Sequence, residues 1–232
     1  MEVLFNADDF GLTKGVNDGI IEAFVNGVVG SATLMMNGLA VEDAVAAAKH
    51  HPRLKVGIHL VLTWGKALCP DLKQIVDKEG TFLRRSNFRE TTVPDLKETE
   101  KEWRTQLEAF LSTGLPLHHI DSHHHIHGWE PLKELTLRLA EDYRVPVRFA
   151  ESLRCHPDHL LTDVLWTDFY GQGITRQIFD HLPRVPTGKV EVMTHPAFVD
   201  TELQANSSYN EPRDLERKIL CSLEIPDWVT LL

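Results

Sequence analysis

Seven short apolar runs, rich in β-branched residues, alternate along the chain with longer amphipathic stretches, and that rhythm constrains the fold more than any other feature. The runs are residues 3–5, 32–36, 56–62, 117–120, 147–150, 164–166 and 190–194. Strands that alternate with helices build parallel sheets with the helices packed outside, whereas a block of strands followed by a block of helices builds separate layers. At 232 residues the chain fits one α/β domain over 1–232 of the (β/α) barrel-like kind, which commonly takes ~200 to 250 residues. Seven strands rather than eight imply a barrel that is irregular or incomplete.

Helical periodicity fills the intervals. In residues 14–26, Val16, Ile20, Ala23 and Phe24 fall on one stripe and Gly27 supplies a stop. The same spacing predicts helices over 41–50, 96–111, 131–143, 174–181 and 212–223, with Pro131 and Pro212 suited to first turns. Residues 69–94, with mixed charges and the turn sequence DKEG, read as a long loop inserted after the third strand, and such loops often cover active sites. Its Arg84, Arg85 and Arg89 either form a solvated basic surface or meet a substrate phosphate.

Four of the runs end in residues that are costly to bury: VLFNADD in Asp8 and Asp9, VGIHL in His59, LHHIDSHHH in Asp121 and a row of histidines, and VEVMTHP in His195. In a parallel sheet or barrel the carboxyl ends of the strands meet on one rim, so residues far apart in sequence share a pocket. Adjacent carboxylates on an extended chain point to opposite faces, so Asp8 and Asp9 have separate roles unless the chain turns at Phe10-Gly11. One could instead cap the helix that begins near Lys14. An extended DSHHHIH places Asp121, His123, His125 and His127 on one side. One or two of those histidines can be ligands, and one of them with His59 and an N-terminal aspartate makes a two-His, one-Asp cation site with open positions, which signals catalysis rather than scaffolding. His195, held extended by Pro196, suits proton transfer, since a histidine's unperturbed pKa is about 6.5.

Composition narrows the functions. A net charge of −10 opposes nucleic acid or an anionic membrane as a main partner. Three separated cysteines without a CxxC pair, and an acidic second residue in place of a leader pattern, point to a cytoplasmic protein.

The ordered motifs NADDFG, GIHLVLT, HIDSHHHIH and EVMTHPAFVD resemble those of the YdjC-like carbohydrate deacetylases, the family that contains chitooligosaccharide (diacetylchitobiose) deacetylase. The resemblance runs from Asn6 to about Asp200 and continues weakly into SSYNEPRDLE. It implies a barrel related to that of the NodB-type polysaccharide deacetylases, with one divalent cation held by Asp9, His59 and His123. It also implies Asp8 as general base and His195 as general acid, an assignment in which the two aspartates could be exchanged. The implied substrate is a small N-acetylated oligosaccharide such as diacetylchitobiose, free or phosphorylated, and a homodimer is an open state.

The cation set admits Zn²⁺, Mg²⁺, Mn²⁺ or Co²⁺, and affinity order favours Zn²⁺. Arg148, at another strand end, would pair with Asp8 or Asp121 if it is not a surface residue. Asp168 and Tyr170, in WTDFYG, offer the polar and aromatic groups that meet sugars. Two other functions share these features: a barrel metallo-phosphoesterase, which usually needs two cations, and a non-catalytic metal or sugar binder.

Overall fold

The computed structural model describes residues 1–83, 93–182 and 188–232. Its centre is β1 (Glu2–Phe10), buried from Val3 onward. Around it lie β2 (Val29–Leu34), β3 (Lys55–Leu60), β4 (Ile120–Ser122), β5 (Val164–Trp166) and β6 (Lys189–Thr194), in the spatial order β4-β3-β2-β1-β6-β5. Every ladder that joins these strands is parallel. The connections are α1 (Lys14–Val25), α2 (Val41–His50), α3 (Leu96–Ser112), α4 (Lys133–Tyr143) and α5 (Ile178–His181), as βα units require.

The sheet curls into a ring, and its irregular side lies between β4 and β5. Ile120 bridges Val147, Val147 bridges Leu160, both in parallel, and the chain then runs directly from Leu160 into β5. Residues 147–150 therefore supply one bridging residue, Val147, with a bridge on each side, rather than the expected strand. Backbone bonds from Arg148 to Ile120 and from Ile120 to Pro146 form the ladder there, and a 3-10 turn at Glu151–Leu153 ends it. A seventh strand, β7 (Thr230–Leu231), pairs with Glu2 and Val3, where β2 has not yet begun. The sequence gives no sign of so short a strand.

Strand periodicity divides the residues between the two faces. Phe5 turns outward and meets Phe179 of α5 edge-on, with ring centroids 6.1 Å apart. Asn6, Asp8, Ser31, Thr33, His59, Asp121 and Glu191 turn inward and are buried. Branched apolar side chains usually fill a barrel interior. Here the filling is polar and hydrogen-bonded, which is what buried polar groups require. Asn6 donates to Asp8 at 2.9 Å, Ser31 donates to Asn6 at 2.5 Å, and Thr33 donates to Asp121 at 3.0 Å.

The helices follow their sequence patterns with shifts at the ends. Thr13, rather than either aspartate, caps α1 by accepting from Val16 N–H. Residues 131–143 open with a 3-10 turn before α4, and the 174–181 helix shrinks to α5. Two further helices follow β6: α6 (Thr201–Asn206), capped by Asp200 and absent from the sequence expectations, and α7 (Glu211–Leu220).

The described part of the inserted loop packs against α3 instead of covering the rim. Buried Glu102 accepts from the backbone N–H of Leu68 and Cys69, and Glu98 accepts from those of Lys73, Gln74 and Ile75. Arg84, Arg85 and Arg89 lie outside the described residues.

Helix α1 sits tightly on the segment after β6. A Cβ at Gly19 would fall inside van der Waals contact of the N, Cα and C atoms of Ala197, two residues beyond His195. Backbone yields less readily than a side chain, so Gly19→Ala is expected to destabilise the fold by about 1–3 kcal/mol, measured by thermal or urea unfolding.

Candidate active site

The carboxyl ends of β1, β3, β4 and β6 open into one cavity of about 530 Å³, lined by Asp8, Asp9, His59, His123, His195 and Arg213 among others. Beneath it lies Arg148, fully buried. Its Nη1 and Nη2 donate to the two oxygens of Asp8 at 2.7 and 2.5 Å, and its Nε donates to Glu191 at 2.8 Å. Asp121 Oδ2 lies 2.8 Å from Nη1. Arg148 thus pairs with both expected aspartates and a third carboxylate.

Burial alone would raise the Asp8 pKa, but the charge and hydrogen bonds of Arg148 outweigh it and hold the carboxyl well below its ordinary 3.8. One guanidinium does not neutralise three carboxylates. The balance falls on Glu191, which burial pushes up to about 7 against the pull of Arg148.

Asp9 reaches the cavity because β1 is bulged. The β1–β2 register slips between Ala7 and Phe10, and Asp9 itself is left-handed at φ 67°. The turn expected at Phe10-Gly11 begins one residue earlier, and both aspartates line the same cavity. Asp9 Oδ1 lies 3.0 Å from His123 Nδ1 and 3.4 Å from His59 Nε2. Asp121 Oδ1 sits 2.7 Å from His59 Nδ1, so the Nε2 side of that ring faces Asp9.

One atom each from Asp9, His59 and His123 lies within 4.8 Å of the others. Two imidazoles and a carboxylate suit a divalent cation, and the carboxylate behind His59 is the partner that metal-bound histidines usually have. The residues therefore fit such an ion. Burial lowers the affinity of His59 for a proton, but Asp121, Asp9 and Asp8 overcome it and push the pKa up to about 10, a sign that the site favours positive charge. A second group, Asp8, His59 and Asp121, is equally close, but Arg148 already occupies its carboxylates.

The histidine row does not continue the strand. After Ser122 the chain enters a 3-10 turn (His123–Gly128) in which His124 and His125 are left-handed, at φ 57° and 54°. The expected shared face of Asp121, His123, His125 and His127 is broken. His123, His124 and His125 line the cavity, while His127 is buried away from it, its Nδ1 2.6 Å from Ser122 Oγ. His124 Nδ1 lies 2.8 Å from Thr63 Oγ1. Burial pushes His125 down to about 3, so it is neutral.

His195 enters from the end of β6. Burial first, and Arg213 second, lower its pKa to about 4, well under the free value. Tyr170 and Tyr209 stack beside it with centroids 3.8 Å apart, each edge-on to the imidazole at 5.6 Å. Tyr170 therefore lies in the cavity as expected, but Asp168 does not: with Trp166 it lines a separate cavity. Opposite, Trp64 donates from its indole to Asn206 O at 2.9 Å.

Helix α7 supplies groups that the sequence did not single out. Arg213 Nη2 donates to Asp9 Oδ2 at 2.6 Å, and its Nε donates to Tyr209 O at 2.7 Å. This cation leaves Asp9 ionised: burial raises its pKa, but Arg213 and then His123 hold it well below 3.8. Three residues on, Glu216 is buried too. In EPRDLERK nearly every position is charged, so the charges that turn inward are not marked. Only the faint likeness of SSYNEPRDLE to the YdjC-like pattern pointed there.

Fold and rim together define a β/α-barrel protein with a His–Asp site of the kind that binds a divalent cation. The YdjC-like protein family model matches residues 2–230, and the chain belongs to that family. A relative from Oceanobacillus iheyensis, named carbohydrate deacetylase, is 51% identical over 229 residues, covering 99% of this chain and 100% of its own. One of the same name from Geobacillus stearothermophilus is 47% identical, covering 94% of this chain and 88% of its own. A solved structure from Enterococcus faecalis V583, named for cellobiose-phosphate cleavage, is 35% identical with a TM-score of 0.88, covering 95% of this chain and 90% of that one.

Removing Arg148 leaves three buried carboxylates without their cation. Arg148→Met is expected to cost about 3–5 kcal/mol at neutral pH by urea unfolding. The sign of the pH dependence also changes. In the parent protein Asp8 is depressed, so its contribution is present above its ordinary 3.8 and is lost as the pH falls further. In the variant, acidification protonates the orphaned carboxylates and narrows the deficit.

Proposed function

We propose that the protein is a metal-dependent carbohydrate deacetylase that hydrolyses the N-acetyl group of a small acetylated oligosaccharide, of the diacetylchitobiose kind, and releases acetate. The observation that carries this reading is the meeting of the Asp9–His59–His123 donor set with Asp8 and His195 in one cavity. The relatives named carbohydrate deacetylase support it.

A divalent cation held by Asp9, His59 and His123 would supply Lewis acidity, lowering the pKa of water and polarising the acetamide carbonyl. Geometry favours one division between the aspartates: Asp9 faces the two imidazoles, and Asp8 faces Arg148. Asp8, ionised and fixed by the bidentate guanidinium, accepts the proton that water gives up as it attacks the carbonyl carbon. Its low proton affinity makes it a point of transit, from which the proton passes to His195. His195, neutral at rest with a pKa near 4, is a strong acid once protonated. It gives its proton to the nitrogen as the C–N bond breaks, so acetate and an amino sugar leave and the side chains return to their starting states. The Tyr170–Tyr209 stack and Trp64 offer ring faces to the sugar.

A two-cation phosphoesterase is less well supported, since Arg148 holds the carboxylates of the second acidic group. The name of the Enterococcus relative makes a phosphorylated disaccharide a second substrate worth including. No helix among the described residues is long and apolar enough to cross a membrane. A cytoplasmic location is part of this proposal, and the net charge of −10 weighs against nucleic acid or an anionic membrane as a main partner.

Acetate release from N,N'-diacetylchitobiose and its phosphate is expected to disappear on chelation and return with a single added cation at about one per chain. His59→Ala is expected to lose both bound metal and turnover, by elemental analysis and acetate assay. Unchanged metal content and turnover in that variant would sink the proposed site.

A further inference from the structure

One carboxylate outside the donor set touches both the backbone of His195 and the aromatic wall. Glu216 on α7 is fully buried, and its two oxygens face different tasks. Oε2 accepts from the backbone N–H of His195 at 2.5 Å. Oε1 accepts from the hydroxyl of Tyr209 in a short hydrogen bond. The same hydroxyl accepts from Gly171 N–H at 3.1 Å, beside Tyr170. The two tyrosines stack at an interplanar angle of 15°, and both rings meet His195. No other contact ties these three rings to one acceptor among the described residues, and the imidazole Nδ1 of His195 has no hydrogen-bond partner of its own there. Its placement depends on its backbone and on the rings around it.

We infer that Glu216 is a positioning residue that holds His195 and the Tyr170–Tyr209 wall as one unit, so that the sugar bound against the tyrosines and the imidazole that serves its nitrogen keep a fixed spacing. The inference rests on the deacetylase reading for its kinetic consequences, but not for its structural one. A buried carboxyl group with two well-made hydrogen bonds orients both partners, because moving either leaves a buried acceptor short of a donor. Proton transfer to a leaving nitrogen needs hydrogen-bond geometry, and small displacements are costly there.

Three variants separate the two tasks. Glu216→Ala removes both contacts, and kcat is expected to fall on the order of 10- to 100-fold with a raised KM. Tyr209→Phe removes only the hydroxyl contact and should raise KM while kcat stays within about twofold. Glu216→Gln keeps an acceptor for His195 N–H but loses the acceptor for the Tyr209 proton, so it should resemble Tyr209→Phe rather than Glu216→Ala. Metal content should be unchanged in all three, since Glu216 touches none of Asp9, His59 and His123.

The structural consequence is read without turnover, from the side-chain NMR signals of the histidines, with His195 assigned by its loss in His195→Asn. In Glu216→Ala the His195 signal should shift and broaden, and in Glu216→Gln it should return to the parent position. If the parent protein releases no acetate, the deacetylase reading fails while this arm still decides the positioning role. A folded Glu216→Ala with the parent His195 signal overturns the proposal. So does equal loss of kcat in Glu216→Ala and Glu216→Gln. Should Glu216→Ala not fold, Glu216→Gln decides: a His195 signal displaced from the parent position, or a fall in kcat without a rise in KM, overturns the proposal.

Discussion

The guanidinium of Arg148 is the interaction on which the rest of this structure depends. A ring of parallel strands must fill its interior, and this one fills it with carboxylates, an amide, hydroxyls and imidazoles. Those groups are tolerable only because a single permanent cation, donating to Asp8, Asp121 and Glu191, stands at their centre. Lysine would not replace it, since a point charge lacks the fork that grips both oxygens of Asp8 while a third nitrogen reaches Glu191. Asp121 passes that order on to His59, and His59 passes it to the candidate cation site. Folding and chemistry therefore share one electrostatic anchor.

The rim was legible in the sequence because burying polar residues at strand ends is costly enough to mark them. Asp8, Asp9, His59, His123 and His195, spread over nearly the whole chain, are brought together as the parallel alternation implied. What failed was the extension of strand periodicity past the strand. His123 begins a turn with two left-handed residues, and a side-chain period of two has no meaning there, so His127 ended in the core. Asp168 was misplaced for a related reason: β5 ends at Trp166 and the chain bends at Phe169 and Tyr170, so strand alternation no longer relates the two side chains, and of the two Tyr170 turned to the cavity.

The inward-facing charges of helix α7 were invisible for the opposite reason, although the helix itself was foreseen. Its residues are so uniformly charged that nothing separates the buried Arg213 and Glu216 from the exposed ones around them. Long-range pairing partners decide which charges turn inward, and a single sequence does not display them. Arg213 reaches Asp9 across 204 positions. The short elements were lost similarly: β7 has two residues, and its existence rests on the edge of β1 rather than on its own composition.

The bulge in β1 has a consequence for how the site can change over generations. Asp9 is at once the carboxylate of the candidate cation set and a residue with positive φ. Only glycine, asparagine and aspartate adopt that backbone readily. Drift at this position therefore runs along a narrow corridor: asparagine or glycine abolishes the charge while leaving the strand intact, whereas β-branched residues disturb the strand itself. A lineage that abandoned catalysis could keep the barrel by a single codon change, and asparagine at position 9 beside an intact Arg148 would be its signature.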